Sequence, residues 1–242
     1  MPEFVFANRF LAHHDRLHKV ESCGCPVARY SDRSRDETYF HIDEPVTDSA
    51  AWRALLVLID KCADDRRSSF APGLELEPDL WRQITILPAS ISKLTSVQHL
   101  SLYGNHLSSV PPEIGDMTAL TRFEPYTSDR LHWFPYEITR CAALVDSTVS
   151  TRALYGNRKT FAAFPQLPAN IPTGCVPNTC SVCRGAFGSD GPIQCWYSMR
   201  VATDILPLLV HACSASCVDA LPKPPEPDVN YPHFGGFDRK PA

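Results

Sequence analysis

The clearest chemistry in this chain lies in two close cysteine pairs, Cys180-Ser-Val-Cys183 and Cys213-Ser-Ala-Ser-Cys217, separated by a 29-residue spacer. A C-x2-C pair sets two thiolates on one tight turn, within reach of the same tetrahedral zinc ion. Cys213 and Cys217 can join them from a turn that leads into a helix. His211, two residues before Cys213, is an alternative fourth ligand. The competing reading is that these thiols are free and buried, packing like small apolar side chains. Four protein ligands would close the zinc coordination shell, which makes such a site structural rather than catalytic. Cys175 and Cys195 do not complete a second ligand set.

A second constellation is His14-Asp-Arg-Leu-His18, with His13, Cys23 and Cys25 close by. Two histidines four apart share one helical face, as in the H-E-x-x-H metallopeptidases. Here the acid is Asp15, one methylene shorter than glutamate, and no third ligand is identifiable. A polar helix or loop that happens to carry histidines explains the segment as well. No G-x-S-x-G elbow and no Gly-rich phosphate loop is present, so nucleophilic and nucleotide chemistry lack their usual marks. No catalytic residue is assigned, and the chain is read as a non-enzyme.

Composition narrows the classes further. The formal net charge of −4 argues against a protein that tracks nucleic-acid phosphates. No apolar run is long enough to span a bilayer, and the N-terminus shows no secretory signal pattern. Ten cysteines in that context imply reduced thiols or metal ligands rather than a disulfide framework, so the expected compartment is the cytoplasm.

The elements that would position these residues follow from an internal period. Leu87-Pro88, Ile91, Leu94, Val97 and Leu100 are matched 23 residues later by Val110-Pro111, Ile114, Met117, Leu120 and Phe123. Phe134-Pro135, Ile138, Cys141 and Leu144 continue the pattern after a further 24. Such a period marks stacked units that bury a shared core. The segment Leu94-Thr-Ser-Val-Gln-His-Leu-Ser-Leu-Tyr-Gly-Asn-His-Leu107 closely follows L-x-x-L-x-x-L-x-L-x-x-N-x-L and resembles the leucine-rich-repeat family in its 23-residue form. The resemblance covers roughly residues 74–167. It implies that Leu100 and Leu102 face inward from a short strand and that Asn105 hydrogen-bonds backbone groups of the following turn. The pattern then weakens: Pro125 replaces a strand leucine, Ser128 stands at the asparagine position, and an extra residue enters near Asp129. Leu154-Tyr-Gly-Asn157 returns to the motif, with Arg152 at an apolar position.

The resemblance also implies a concave face lined by residues between the strand leucines: His99, Ser101 and Tyr103, then Arg122, Glu124 and Tyr126, with Thr148 extending the row. Aromatic, basic and acidic side chains together suit recognition of a protein partner; an ordinary solvated face would look the same. The C-S-x-x-C ending at Cys217 resembles treble-clef zinc fingers, in which the last cysteine begins a short helix. A site of four ligands is half of what a RING-type ubiquitin ligase uses.

The expected architecture is therefore α/β: a short leucine-rich-repeat solenoid, an α-containing N-terminal cap and a small C-terminal zinc module. The boundaries are 1–73 for the cap, 74–167 for the repeats, 168–221 for the cysteine module and 222–242 for a Pro-rich tail. Asp48 or Ser49 should cap a helix near 49–64 that carries Trp52, Leu55, Leu56, Ile59 and Cys62 at helical spacing. The function expected of this assembly is that of a scaffold or adaptor that binds a protein partner and is stabilised by one structural zinc. The rivals are an enzyme (an effector-like ubiquitin ligase or a degenerate metallopeptidase) and a nucleic-acid binder acting through the zinc module near Arg184 and Arg200.

Overall fold

The computed structural model describes residues 40–125, 128, 130–147, 164–167, 176–201, 204–223 and 232–236. His13, His14, His18, Cys23, Cys25, Tyr126, Thr148, Arg152, the 154–157 motif and Cys175 lie outside them.

The N-terminal helix forms where its cap predicts. Ser49 accepts from the Trp52 N–H at 3.0 Å through Oγ, and helix α1 runs Ala50–Asp64. It buries Ala51, Leu55, Leu58, Ile59 and Cys62 and leaves Trp52 and Leu56 half-buried. The buried face closes one end of the main core. After strand β1 (Ser69–Phe70), two single-turn helices follow, α2 (Pro72–Glu75) and α3 (Pro78–Trp81), each opened by a proline. Proline suits a first helical turn because the N–H it lacks would have no intrahelical acceptor there.

Three 3-10 helices then recur at the sequence period: Ala89–Lys93, Pro112–Asp116 and Tyr136–Arg140. Each is entered through the proline of an apolar-Pro pair, with φ of −73°, −73° and −70°. The pyrrolidine ring holds that angle, so each unit turns at the same place. Each helix is closed by the same bond to its isoleucine carbonyl: Leu94 to Ile91, Met117 to Ile114 and Cys141 to Ile138.

Strands β2 (His99–Ser101), β3 (Arg122–Glu124) and β5 (Asp146–Ser147) join β1 in a parallel sheet of order β1-β2-β3-β5. The register aligns Phe70, Leu100, Phe123 and Ser147 on one row and Ser69, His99, Arg122 and Asp146 on the next. Phe70, Leu100 and Phe123 are buried, as are Ile91, Ile114 and Ile138 from the 3-10 layer. Asn105 is buried; its side-chain amide donates to the Leu102 carbonyl and its Oδ1 accepts from Leu107 N–H. At the equivalent place in the next unit the Ser128 hydroxyl donates to the same Leu102 carbonyl at 3.5 Å.

A second sheet joins residues of the expected repeat span to the expected cysteine module. Strands β6 (Ile193–Val201) and β7 (Asp204–Ala212) form a long antiparallel hairpin that occupies the cysteine spacer. Strand β4 (Phe134–Pro135) of the third unit pairs in parallel with β7, matching Phe134 to Leu208 and Pro135 to Leu209. Leu208 belongs to the main core, and Tyr136 meets Tyr197 edge-on at 5.5 Å. The hairpin is thus sewn to the flank of the third unit. The described part of the tail also folds back: Trp196 and His233 exchange backbone hydrogen bonds at 2.7 and 3.2 Å. Gly235, at φ +84°, lies so close to the Pro165 carbonyl that a Cβ would meet its oxygen at 2.1 Å. A smaller core of Trp133, Phe164, Trp196 and Leu209, with Phe40 and Ile42 against it, seals this junction.

The architecture is mixed α/β, with one parallel and one mixed sheet and no closed barrel among the described residues. No described helix is long and apolar enough to cross a membrane.

Candidate metal centre

The residues Cys180 to Gly185 form a tight turn. Cys180 N–H donates to the Gly185 carbonyl at 2.8 Å, and Arg184 N–H donates back to the Cys180 carbonyl at 3.0 Å. Arg184 closes the turn in the left-handed region, φ +62°, which costs a side-chain-bearing residue roughly 1 kcal/mol. The turn points backbone N–H groups at sulfur: Val182 and Cys183 donate to Cys180 Sγ at 3.4 and 3.5 Å, and Gly185 donates to Cys183 Sγ at 3.4 Å.

The hairpin brings the second pair to this turn. Cys213 follows directly on β7 (Asp204–Ala212), and its N–H also donates to Cys180 Sγ, at 3.3 Å. Ser214 caps helix α4 (Ala215–Asp219) by accepting from Cys217 N–H, which fixes Cys217 in the first turn. The four Sγ atoms all lie within 4.8 Å of one another, with Cys183–Cys213 at 3.5 Å and Cys213–Cys217 at 3.6 Å. A tetrahedral zinc–thiolate site, with bonds near 2.3 Å, needs sulfurs about 3.8 Å apart. The spacing fits.

Electrostatics point the same way. Burial opposes ionisation of Cys180, yet the N–H groups of Cys183, Cys213 and Val182 outweigh it and bring the thiol down to about 6. Cys213, crowded by Cys183, Cys217 and Cys180, is pushed up to about 12. One thiolate forms readily here, whereas four so close together repel unless a cation neutralises them. These four cysteines can hold a metal ion.

His211 is not part of that cluster. It is buried on β7, and burial lowers its imidazole to about 4. Its backbone instead ties the turn to the strand: Ser181 N–H donates to the His211 carbonyl at 2.8 Å, and His211 N–H donates to Ser181 Oγ at 2.9 Å. Cys62, Cys141 and Cys195 are buried and outside the four-sulfur cluster, and burial raises the Cys141 and Cys195 thiols to about 11 and 12. A scan against models of known protein families and a search of curated proteins both give no match.

The second group of sequence-derived residues occupies the exposed side of the parallel sheet. Glu124 is its hub: one carboxylate oxygen meets His99 Nε2 at 2.6 Å, and the other accepts from Arg122. Arg122 Nε lies 3.3 Å from Asp146, which extends the row across three strands. Ser101 stands beside Glu124 in register. Tyr103 is half-buried, and its carbonyl accepts from Trp81 Nε1 at 3.1 Å.

Sequence reasoning did not find the residues behind the Cys180–Gly185 turn. Arg140 Nη2 donates to the Ser181 carbonyl at 3.2 Å and lies 3.8 Å from Glu137 Oε1. Glu137 is 1% exposed; burial pushes its carboxyl up, and the Ser181 and Arg140 neighbours pull it back. A buried acid three residues before an arginine has no motif, so nothing in the sequence joins this pair to cysteines 40 positions away.

Proposed function

We propose that this chain is a cytoplasmic protein-interaction scaffold of the leucine-rich-repeat type, stabilised by one structural zinc ion. The carrying observation is the convergence of Cys180, Cys183, Cys213 and Cys217, all Sγ within 4.8 Å, beside a stack of units that repeats one backbone turn. Four thiolates suit zinc or iron. Zinc is favoured because it takes tetrahedral sulfur with no redox chemistry, and a closed shell leaves it no open position for a substrate. The knuckle, hairpin and capped helix follow in the order that a treble-clef finger requires. Partner capture falls to the outer row of the parallel sheet, where His99, Ser101, Arg122, Glu124 and Asp146 stand in strand register. The repeats hold that row in shape, and the metal holds the hairpin that braces the third repeat.

The test is metal analysis of the full chain purified without chelator, beside Cys180→Ser. One zinc per chain, lost in the variant, supports the reading. Iron, or no metal, sinks the zinc assignment. For the surface, proximity cross-linking in cells should lose its specific partner when His99, Arg122 and Glu124 are replaced by Ala together. An unchanged partner set would remove that face from the proposal.

A further inference from the structure

The turn that carries Cys180 and Cys183 rests on the repeat body at a polar contact as well as through the hairpin. Strand pairing of β4 with β7 and the Tyr136–Tyr197 contact attach the hairpin, but neither reaches the turn. The turn itself is held by Ser181. Its N–H and Oγ are taken by His211, and its carbonyl by the Arg140 guanidinium. Ser181 is 3% exposed and lies between the two ligands in sequence. Arg140 in turn is placed by its own 3-10 helix, one residue before the Cys141 N–H that closes that helix on Ile138. Behind it, Gly115 of the preceding unit approaches so closely that a Cβ would meet the Glu137 carbonyl oxygen at 2.6 Å. The support is therefore a packed layer rather than a loose surface side chain.

We propose that Arg140 is a positioning residue for the metal centre, supplied by the repeat body, and that metal affinity depends on it although it touches no ligand sulfur. This rests on the zinc reading above and deepens it. A guanidinium hydrogen-bonded to the carbonyl between two ligating residues limits how far the turn can open when the metal leaves. Groups behind metal ligands typically contribute 10- to 100-fold in affinity. The coupling is reciprocal: if Arg140 tightens the metal, the metal tightens the seat of the third repeat by the same factor. The centre then acts as a keystone between two sheets, not as a terminal clip.

The experiment uses the full chain and measures zinc affinity by competition with a chromophoric chelator, together with the cobalt(II) ligand-field spectrum. Variants are Arg140→Gln and Arg140→Lys, with Ile91→Val as a control that loosens the distant first repeat. The expected result is a weakening of zinc binding by 10-fold or more in Arg140→Gln and a smaller loss in Arg140→Lys. The four-sulfur cobalt spectrum should be unchanged in both, because the ligands are the same. Ile91→Val should lower the melting temperature without moving the affinity. If Arg140→Gln fails to fold, Arg140→Lys alone decides: zinc affinity within twofold of wild type overturns the inference. A lower melting temperature with wild-type affinity in either variant overturns it too, since that is what a purely structural arginine would give. Wild-type chain that takes neither zinc nor cobalt overturns the zinc reading, and this inference with it.

Discussion

The repeat body and the cysteine module solve the same problem, holding short elements in register, by opposite means. Along the stacked units, apolar side chains from successive turns and strands share one core. Ile91, Ile114 and Ile138 stack as one column, and Phe70, Leu100 and Phe123 as another. In the module the apolar cluster beside the thiols is small among the described residues: Cys195, Val210, Ala212, Val218 and Leu221. A five-residue helix and a six-residue turn cannot offset their own ordering entropy with so little burial. There the order comes from directional bonds, N–H to sulfur, around four thiols that can hold a metal ion. Damage should therefore spread along the repeats in small steps, whereas in the module it should be all or none.

The largest effect tests the module. Stripping the metal with a strong chelator, or replacing Cys213 by Ser, should release the hairpin. At metal concentrations about a thousandfold above the dissociation constant, the lost stabilisation is about 4 kcal/mol. Hydrogen exchange should report it as loss of protection in residues 193–212 while residues 99–101 and 122–124 stay protected. Equal loss in both sheets would mean that the two regions form one cooperative unit. Cysteine alkylation gives an independent view: Cys183, exposed in the fold, should react in the stripped chain, and Cys195 should follow as the hairpin opens, while buried Cys141 stays unreactive until global unfolding.

The next effect tests the repeats. Leu100→Ala empties a fully buried site beneath the sheet and should cost about 3 kcal/mol in denaturant unfolding. Its zinc content should not change. Zinc loss in this variant would erase the distinction between the regions.

Much of this contrast was legible in the sequence. The apolar-Pro pairs announce the turns because proline leaves little choice of φ, and isoleucine three residues later is where a 3-10 turn points inward. The cysteine spacing pointed to the four thiols that converge, since two short intervals each set a pair on one turn. Ser49 announced its own helix. What the sequence could not give is partnership at a distance. Phe134-Pro135 looks like any other unit opening, yet it pairs with β7, 74 residues on. Extended backbone carries no address, and Pro135, with no N–H to donate, gives still less. The return of His233 to Trp196 and the reach of Arg140 to Ser181 are hidden for the same reason. Each involves a backbone group whose partner is chosen by the whole fold.

Asn105→Ala is the third test and distinguishes directional bonding inside the repeats from burial alone. Its amide satisfies the Leu102 carbonyl and Leu107 N–H, both buried. Leaving them unpaired should cost about 2 kcal/mol. Ser128 already contributes a long bond to Leu102, so Ser128→Ala should cost less alone and more in the Asn105→Ala background. Strict additivity would mean that the two side chains do not share the carbonyl.

The smallest stability effect belongs to the exposed row, and its smallness is the point. Arg122 contacts Glu124 and Asp146, but its side chain is 48% exposed and Asp146 is open to water, with Glu124 partly so. Solvent screening leaves such pairs worth at most about 1 kcal/mol each. Arg122→Ala should therefore shift the denaturation midpoint by no more than the scatter among surface variants. If the row is a recognition surface, the same substitution should weaken a cross-linked partner's binding at least tenfold, because arginine is prominent among residues that dominate interface energy. The ratio of the two effects is what identifies function: a residue that barely matters to the fold but matters greatly to a partner is kept for the partner. A stability loss above about 2 kcal/mol with unchanged binding would make Arg122 a strut of the sheet. It would also move the search for the binding face away from the parallel sheet, toward the hairpin that joins the two cysteine pairs.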